Sequence, residues 1–240
     1  MAICELTDIK KTYGSGAAEV HALAGVSFTL EPGEFTVICG PSGSGKTTML
    51  NIIGLLDLPT SGEVKLEGVD TAGMKGKERA RARAKRIGFI FQSFNLVPVL
   101  SASENVETAL HLAGAKGDHK AAAKKALASV GIGELVDRKP AELSGGQQQR
   151  VAVARALVKE PALVIADEPT ANLDSATGSA VLELMRDMNE QQGVTFVFST
   201  HDPMVIARAR RVVTLRDGAV HSDEVREPPS QAGHVEREQR

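Results

Sequence analysis

Gly40, Pro41, Ser42, Gly43, Ser44, Gly45, Lys46 and Thr47 have the types and spacing of a phosphate cradle. They follow the apolar run Phe35, Thr36, Val37, Ile38, Cys39, so the expected order is strand, glycine loop, then a helix starting near Lys46. Glycine at 40, 43 and 45 admits positive φ and brings successive N–H groups close to phosphate oxygens, at the positive end of that helix. There Lys46 would reach the β- and γ-phosphates, and Thr47 would ligate magnesium. A glycine-rich turn with no ligand is the competing reading, and the complete spacing with its flanks weighs against it.

A second chemical element ends the run Ala162, Leu163, Val164, Ile165, Ala166, Asp167, Glu168. The apolar stretch reads as a fully buried strand of a parallel sheet. Carboxylates at the C-terminal end of such a strand sit where open α/β sheets place ligands. Asp167 then suits the magnesium shell, and Glu168 suits a general base that polarises an attacking water. On a surface strand the same pair would mean little; here it favours hydrolysis.

A third element is Leu143, Ser144, Gly145, Gly146, Gln147. Ser144 and Gln147 have capping-box spacing, which predicts a helix starting near Gly145 and running through Leu157. A well-capped helix explains Ser144 and Gln147 but not the glycine pair, which is costly in a first turn unless something must approach the backbone closely. An anion is the natural candidate.

Taken in order over about residues 1–222, these residues resemble the ATP-binding cassette family, the ATPase subunits of ABC transporters. The resemblance implies that ATP is held by Gly40, Pro41, Ser42, Gly43, Ser44, Gly45, Lys46, Thr47 and Thr48, with Tyr13, the sole tyrosine, stacked on adenine. It implies that Gln92 touches magnesium and the attacking water and links the site to a membrane partner. His201 matches the switch histidine that contacts the γ-phosphate, and Asp174, after Asn172 and Leu173, matches the D-loop that couples the dimer. The catalytic set is thus Glu168, His201 and Gln92, and the magnesium set Thr47, Gln92 and Asp167. Family members dimerise head to tail, so Ser144, Gly145, Gly146 and Gln147 of one copy would close on ATP held by the other. The implied fold is an α/β P-loop NTPase of RecA-like type: a parallel-sheet core, an N-terminal antiparallel β subdomain and an inserted α-helical subdomain.

Length and composition fit. With 240 residues, 42% hydrophobic, and 28 Lys and Arg against 30 Asp and Glu, the chain can bury one sizeable core and has no basic bias toward nucleic acid. No apolar stretch approaches the ~18 to 20 residues a membrane helix needs, and residues 1–13 lack a signal-peptide core. The expectation is a soluble cytoplasmic chain, peripheral on the inner membrane, whose permease is a separate protein. Cys4 and Cys39 read as reduced thiols. Of the histidines only His201 ends a buried strand; His21, His111, His119, His221 and His234 show no ligand-like spacing and are assigned no chemistry.

The supporting elements follow from these anchors. Residues 1–39, with 62–67, are expected to form the antiparallel sheet, with turns at Pro32 and Gly33 and at Thr60, Ser61 and Gly62. The core and β subdomain take about 1–92 and 159–222, and Ala/Leu/Lys-rich text at about 93–158 predicts a helical subdomain that can rotate. Residues 175–192 carry Val181, Leu184, Met185 and Met188 on one face of a core-facing helix. The charged, Pro-containing stretch 223–240 reads as a disordered tail. Lys75, Lys77, Arg79, Arg81, Arg83, Lys85 and Arg86 would share a helix with Arg79, Arg83 and Arg86 on one side, a solvated face rather than a headgroup patch. Phe94, Asn95, Leu96, Val97, Pro98, Val99, Leu100 and Ser101 are unusually apolar for a connection. In the family this region receives a coupling helix of the permease, so part of it is expected to be exposed.

Within the family the wording from Gly40 to Gly62, around Gln92, and from Asp167 to Asp174 looks like the LolD/MacB/FtsE-type subgroup, which serves FtsX-like permeases. Such ATPases drive lipoprotein release, macrolide or peptide export, or signalling in cell division. The rival is a DNA-repair or chromosome-organising ATPase, which needs a long coiled coil between the motif halves; none is present here. The cargo never touches this chain, so the sequence is nearly silent about it.

Overall fold

The computed structural model describes residues 1–226, so most of the expected tail lies outside the described residues. In chain order come β1 (Cys4–Tyr13), β2 (Val20–Leu30), β3 (Phe35–Cys39), α1 (Lys46–Ile53), β4 (Ser61–Leu66), β5 (Val69–Asp70), α2 (Gly76–Arg86) and β6 (Ile87–Phe91). Then follow α3 (Ala102–Ala113), α4 (His119–Ser129), α5 (Gly145–Leu157), β7 (Leu163–Asp167), α6 (Ser175–Gln192), β8 (Phe196–Ser199), α7 (Pro203–Arg208), β9 (Arg211–Arg216) and β10 (Ala219–Val225).

One sheet has the order β10-β9-β3-β8-β7-β6, parallel from β9 to β6 and closed at one edge by antiparallel β10. The other is antiparallel, in the order β2-β1-β4-β5. β3, expected in the antiparallel sheet with the rest of residues 1–39, instead lies inside the parallel sheet between β8 and β9. The physical reason is its pattern: Phe35, Thr36, Val37 and Ile38 are all buried, as a strand covered on both faces requires.

Two apolar clusters hold the layers together. One joins the parallel sheet to α3, α4, α5 and α6 through Phe196, Phe198, Val151 and Met185. The other fills the space between the sheets around α1, with Ile38, Met49, Ile52, Ile53, Leu23 and Leu30. Each such side chain contributes about 1.5 to 3 kcal/mol when fully buried, so α1 and the loop before it are anchored from both sheets. On α6 the buried face is Val181, Leu182, Met185 and Met188, while Leu184 is only half-buried; Leu182, not Leu184, takes the centre of the stripe.

Pairing continues past the expected end of the folded chain. Asp223, Glu224 and Val225 pair with Val213, Val212 and Arg211, and the Arg211 guanidinium donates to the Asp223 carboxylate at 2.8 and 2.7 Å. A charged, exposed edge strand carries no apolar run to announce it. None of the α2 residues is buried, as a solvated helix requires. Arg79 donates to the Met74 carbonyl, Arg83 to that of Leu55, and Arg86 pairs with Glu67.

Helix α5 lies close against β6 because Gly88 has no side chain: a Cβ there would sit 2.7 Å from the Ala156 carbonyl oxygen. Gly88→Val is expected to destabilise the chain by about 1 to 3 kcal/mol through overpacking, read as a lowered urea midpoint.

Candidate active site

The cradle begins where β3 ends. Gly45 has φ of 100° and forms the N-cap of α1, a conformation that disfavours any residue with a Cβ, and a Cβ there would lie 2.5 Å from the Ala22 carbonyl oxygen. Lys46 Nζ donates to the carbonyls of Gly40 and Pro41, 2.9 Å each, which holds the ammonium across the loop. Ser44 Oγ is buried with no hydrogen-bond partner among the described residues.

The parallel register brings the other groups to the same edge. Asp167 at the end of β7 stands opposite Phe91 of β6 and Ser199 of β8, so Gln92 and Thr200 follow directly on either side. Burial pushes the Asp167 carboxyl above the ordinary range; a hydrogen bond with Ser199 opposes this, Glu168 adds to it and Lys46 opposes it. Glu168 has φ of 46°, strained for a residue with a side chain. Its Oε2 accepts from the Thr200 hydroxyl at 3.0 Å, and its Oε1 lies 2.7 Å from His201 Nδ1. The carboxylate is thus aimed by two neighbours on the next strand's end.

A cleft of about 680 Å³ gathers these residues: Gly40, Pro41, Ser42, Gly43, Gly45, Lys46, Thr47, Thr48, Gln92, Asp167, Glu168 and His201, together with Ser199, Val20, His21 and Ala22. His21, to which the sequence assigned no chemistry, is therefore at the cleft wall, with its Nδ1 3.0 Å from Thr12 Oγ1. Tyr13 is not among the lining residues; its phenol donates to Asp57, 2.8 Å away.

Ser144, Gly145, Gly146 and Gln147 are absent from that lining. They form the expected cap of α5, with Ser144 Oγ accepting from Gln147 N at 3.3 Å and Ser144 N donating to Gln147 Oε1 at 2.9 Å. The glycine pair divides in two. Gly146 faces α6, where a Cβ would overlap the Thr177 methyl, so packing within the chain explains it. At Gly145 a Cβ would meet Leu173, Asn172 and Phe94 at ordinary distances of 3.4 to 3.8 Å, and packing gives no reason for glycine there. Asp174 caps α6, its carboxylate accepting from Thr177 N at 3.0 Å.

Several positioning groups carried no signal in the sequence because their partners are main-chain carbonyls far along the chain. Asn172 Nδ2 donates to the Gln92 carbonyl at 3.0 Å. Arg155 on α5 donates to the carbonyls of Phe94 and Asn95, 2.7 and 2.5 Å, both of which have positive φ. Buried Asn105 pins the loop that follows, bonding to Val97, Leu100 and Ser101. In that loop Val97, Pro98 and Val99 are exposed, while Phe94, Leu96 and Leu100 are half-buried. Beside it runs a groove of about 990 Å³ between α2, α3 and β6, with Leu56, Ala84, Phe89, Val97 and Leu112 on its apolar wall and Arg81, Arg83, Arg155 and Lys159 around it. Burial, with Arg83 adding to it, pushes the Lys159 ammonium down to about 8.

A model of the ABC transporter family matches residues 23–171, more than half the chain. The chain belongs to the ABC transporter family. Among similar proteins are the macrolide export ATP-binding/permease protein MacB of Syntrophobacter fumaroxidans, 48% identical over 226 residues, and the lipoprotein-releasing system ATP-binding protein LolD of Anaeromyxobacter dehalogenans, 45% identical over 221. The first alignment covers 93% of this chain but 32% of MacB; the second covers 91% of this chain and 92% of LolD. The chain thus spans about a third of that MacB and nearly all of that LolD. Among solved structures, the dimeric post-hydrolysis state of the ATP-binding cassette MJ0796 bound to ADP and Pi superposes with a TM-score of 0.85 at 42% identity, over 94% of this chain and all of that one. As a member of the ABC transporter family the chain is an ATPase with the P-loop NTPase fold, and these relatives favour a transporter ATPase over a repair or chromosome-organising one.

Proposed function

We propose that this chain is the ATP-hydrolysing subunit of an ABC transporter that works as a pair of copies, peripheral on the cytoplasmic face of a membrane, on a separate FtsX-like permease. The observation that carries the pairing is the placement of the site groups. Cradle, carboxylates, Gln92 and His201 share one cleft, while the capped start of α5 lies outside it in the same chain. No helix among the described residues is long and apolar enough to cross a membrane.

In this reading the N–H groups of the cradle and Lys46 bind the phosphates of ATP and stabilise charge on the transferring γ-phosphoryl. Thr47, Asp167 and Gln92 offer hydroxyl, carboxylate and amide oxygens within one cleft, a hard-oxygen set that fits magnesium. Bound there, magnesium would neutralise developing phosphate charge. Glu168 accepts a proton from the attacking water while Thr200 and His201 hold its two oxygens. ATP closes the pair by drawing the α5 start of one copy, Ser144 and Gly145 foremost, onto the γ-phosphate held by the other. Hydrolysis releases that bridge, and the helical segment 93–158 rotates with it.

The motion leaves the site through Gln92. Its carbonyl is tied to Asn172, and the Arg155 guanidinium holds the next turn at the edge of the apolar groove. That groove, apolar within and basic around, suits an amphipathic permease helix with carboxylates on its flanks. Val97→Asp places a charge on the exposed part of the groove wall and is expected to abolish co-purification with the permease while the affinity for ATP stays within about twofold. Undiminished co-purification would remove the groove from the permease interface. Activity itself is tested by phosphate release from Mg-ATP, expected in the unmodified protein and absent in Lys46→Ala.

A further inference from the structure

We propose that Asp57 and Lys11 clamp Tyr13 so that a single face of its ring is presented to the adenine, which makes Asp57 a positioning residue for nucleotide binding. The inference rests on the reading of Tyr13 as the base-stacking aromatic. The Tyr13 phenol donates to Asp57 Oδ2 at 2.8 Å. Lys11 Nζ donates to Asp57 Oδ1 and to the Leu58 carbonyl, 2.8 Å each, and the same ammonium lies 4.7 Å from the centroid of the Tyr13 ring. One carboxylate therefore fixes both the far end of the ring and the cation that covers one of its faces. A planar base can approach only from the other side, and 40% of Tyr13 remains exposed to receive it.

Asp57 is itself held by the helix that carries the phosphate cradle. The N–H groups of Leu56 and Asp57 both donate to the Asn51 carbonyl, at 2.8 and 3.1 Å, and Leu58 N donates to Asp57 Oδ1 at 2.7 Å. So α1 starts at the cradle and ends, about 12 Å away, at the clamp, and one rigid element sets the separation between phosphate and base sites. Burial tends to raise the Asp57 carboxyl, but its bonds to Lys11, Tyr13 and Leu58 N outweigh this and hold it below the ordinary range, as a carboxylate acceptor.

A purely structural tie between β1 and α1 would contain the same Lys11 and Asp57 pair, so the test needs a readout that such a tie does not move. The chain has one tyrosine and no tryptophan, so its tyrosine emission reports Tyr13 alone. Asp57→Ala, Asp57→Asn and Tyr13→Ala are titrated with Mg-ATP and with Mg-tripolyphosphate, which has no base. Tyr13→Ala is expected to weaken ATP about tenfold or more, as loss of a base–aromatic stack does, and to leave tripolyphosphate unchanged. Asp57→Ala is expected to weaken ATP about three- to tenfold, the cost of leaving one aromatic side chain to be ordered on binding, and to leave tripolyphosphate within about twofold. Its tyrosine emission rises, because the phenol is released from a carboxylate, and Asp57→Asn, which keeps an acceptor, falls between it and the unmodified chain. Unchanged ATP affinity in Asp57→Ala alongside a loss in Tyr13→Ala would overturn the clamp and leave the stacking role standing. Equal weakening of ATP and tripolyphosphate in Asp57→Ala would also overturn it, by showing damage to the cradle. Unchanged ATP affinity in Tyr13→Ala would overturn the stacking role and the clamp together.

Discussion

Glu168→Gln is expected to cut ATP turnover by about 10²- to 10⁴-fold while ATP remains bound. The substitution keeps the side chain's length, and the Thr200 hydroxyl can still donate to the amide oxygen, so the local arrangement survives. What is lost is the carboxylate's capacity to take a proton from water. That capacity is built in at some cost, since Glu168 holds a left-handed backbone at the end of a buried strand in order to aim its side chain into the cleft. With opening dependent on hydrolysis, the variant should accumulate as a closed, ATP-bound pair. Single-turnover kinetics with retained radiolabelled ATP measures both effects, and turnover at the unmodified rate would move the base elsewhere.

Ser144→Arg is expected to reduce steady-state hydrolysis at least 10²-fold, yet to leave ATP affinity of the single chain within about twofold. In its own chain Ser144 is not among the residues that line the cleft and serves as a helix cap, a role whose loss costs about 1 kcal/mol of stability. A large catalytic loss with intact binding therefore requires a second chain. Mixed with Lys46→Ala, itself inactive, Ser144→Arg should regain hydrolysis, because one of the two sites in the mixed pair then has an intact cradle and an intact helix start.

Much of the site was legible because its signals are local. The cradle glycines with Lys46 and Thr47, the carboxylates ending β7, and the Ser144 and Gln147 cap each lie within a few residues, and each stands at the helix start or strand end expected of it. What was illegible depends on contacts across the chain. Sheet membership of β3 is decided by β8 and β9, more than 150 residues downstream, and only its unbroken burial hints at it. The need for glycine at 146 comes from Thr177 on another helix, a packing cause that competes with the anion explanation and leaves it to Gly145. Asp57, Arg155 and Asn172 act through a phenol or through main-chain carbonyls, which no residue pattern displays. The pairing of residues 223–225 was illegible because an edge strand held by Arg211 and Asp223 shows the composition of a tail.

Sharing of each site between two copies is tested most directly by the solution mass of Glu168→Gln, by light scattering with and without Mg-ATP. Doubling of the mass on adding Mg-ATP, and its loss when Ser144→Arg is introduced into the same chain, is the expected result. A single-chain mass with ATP bound, or a doubling that survives Ser144→Arg, would contradict it.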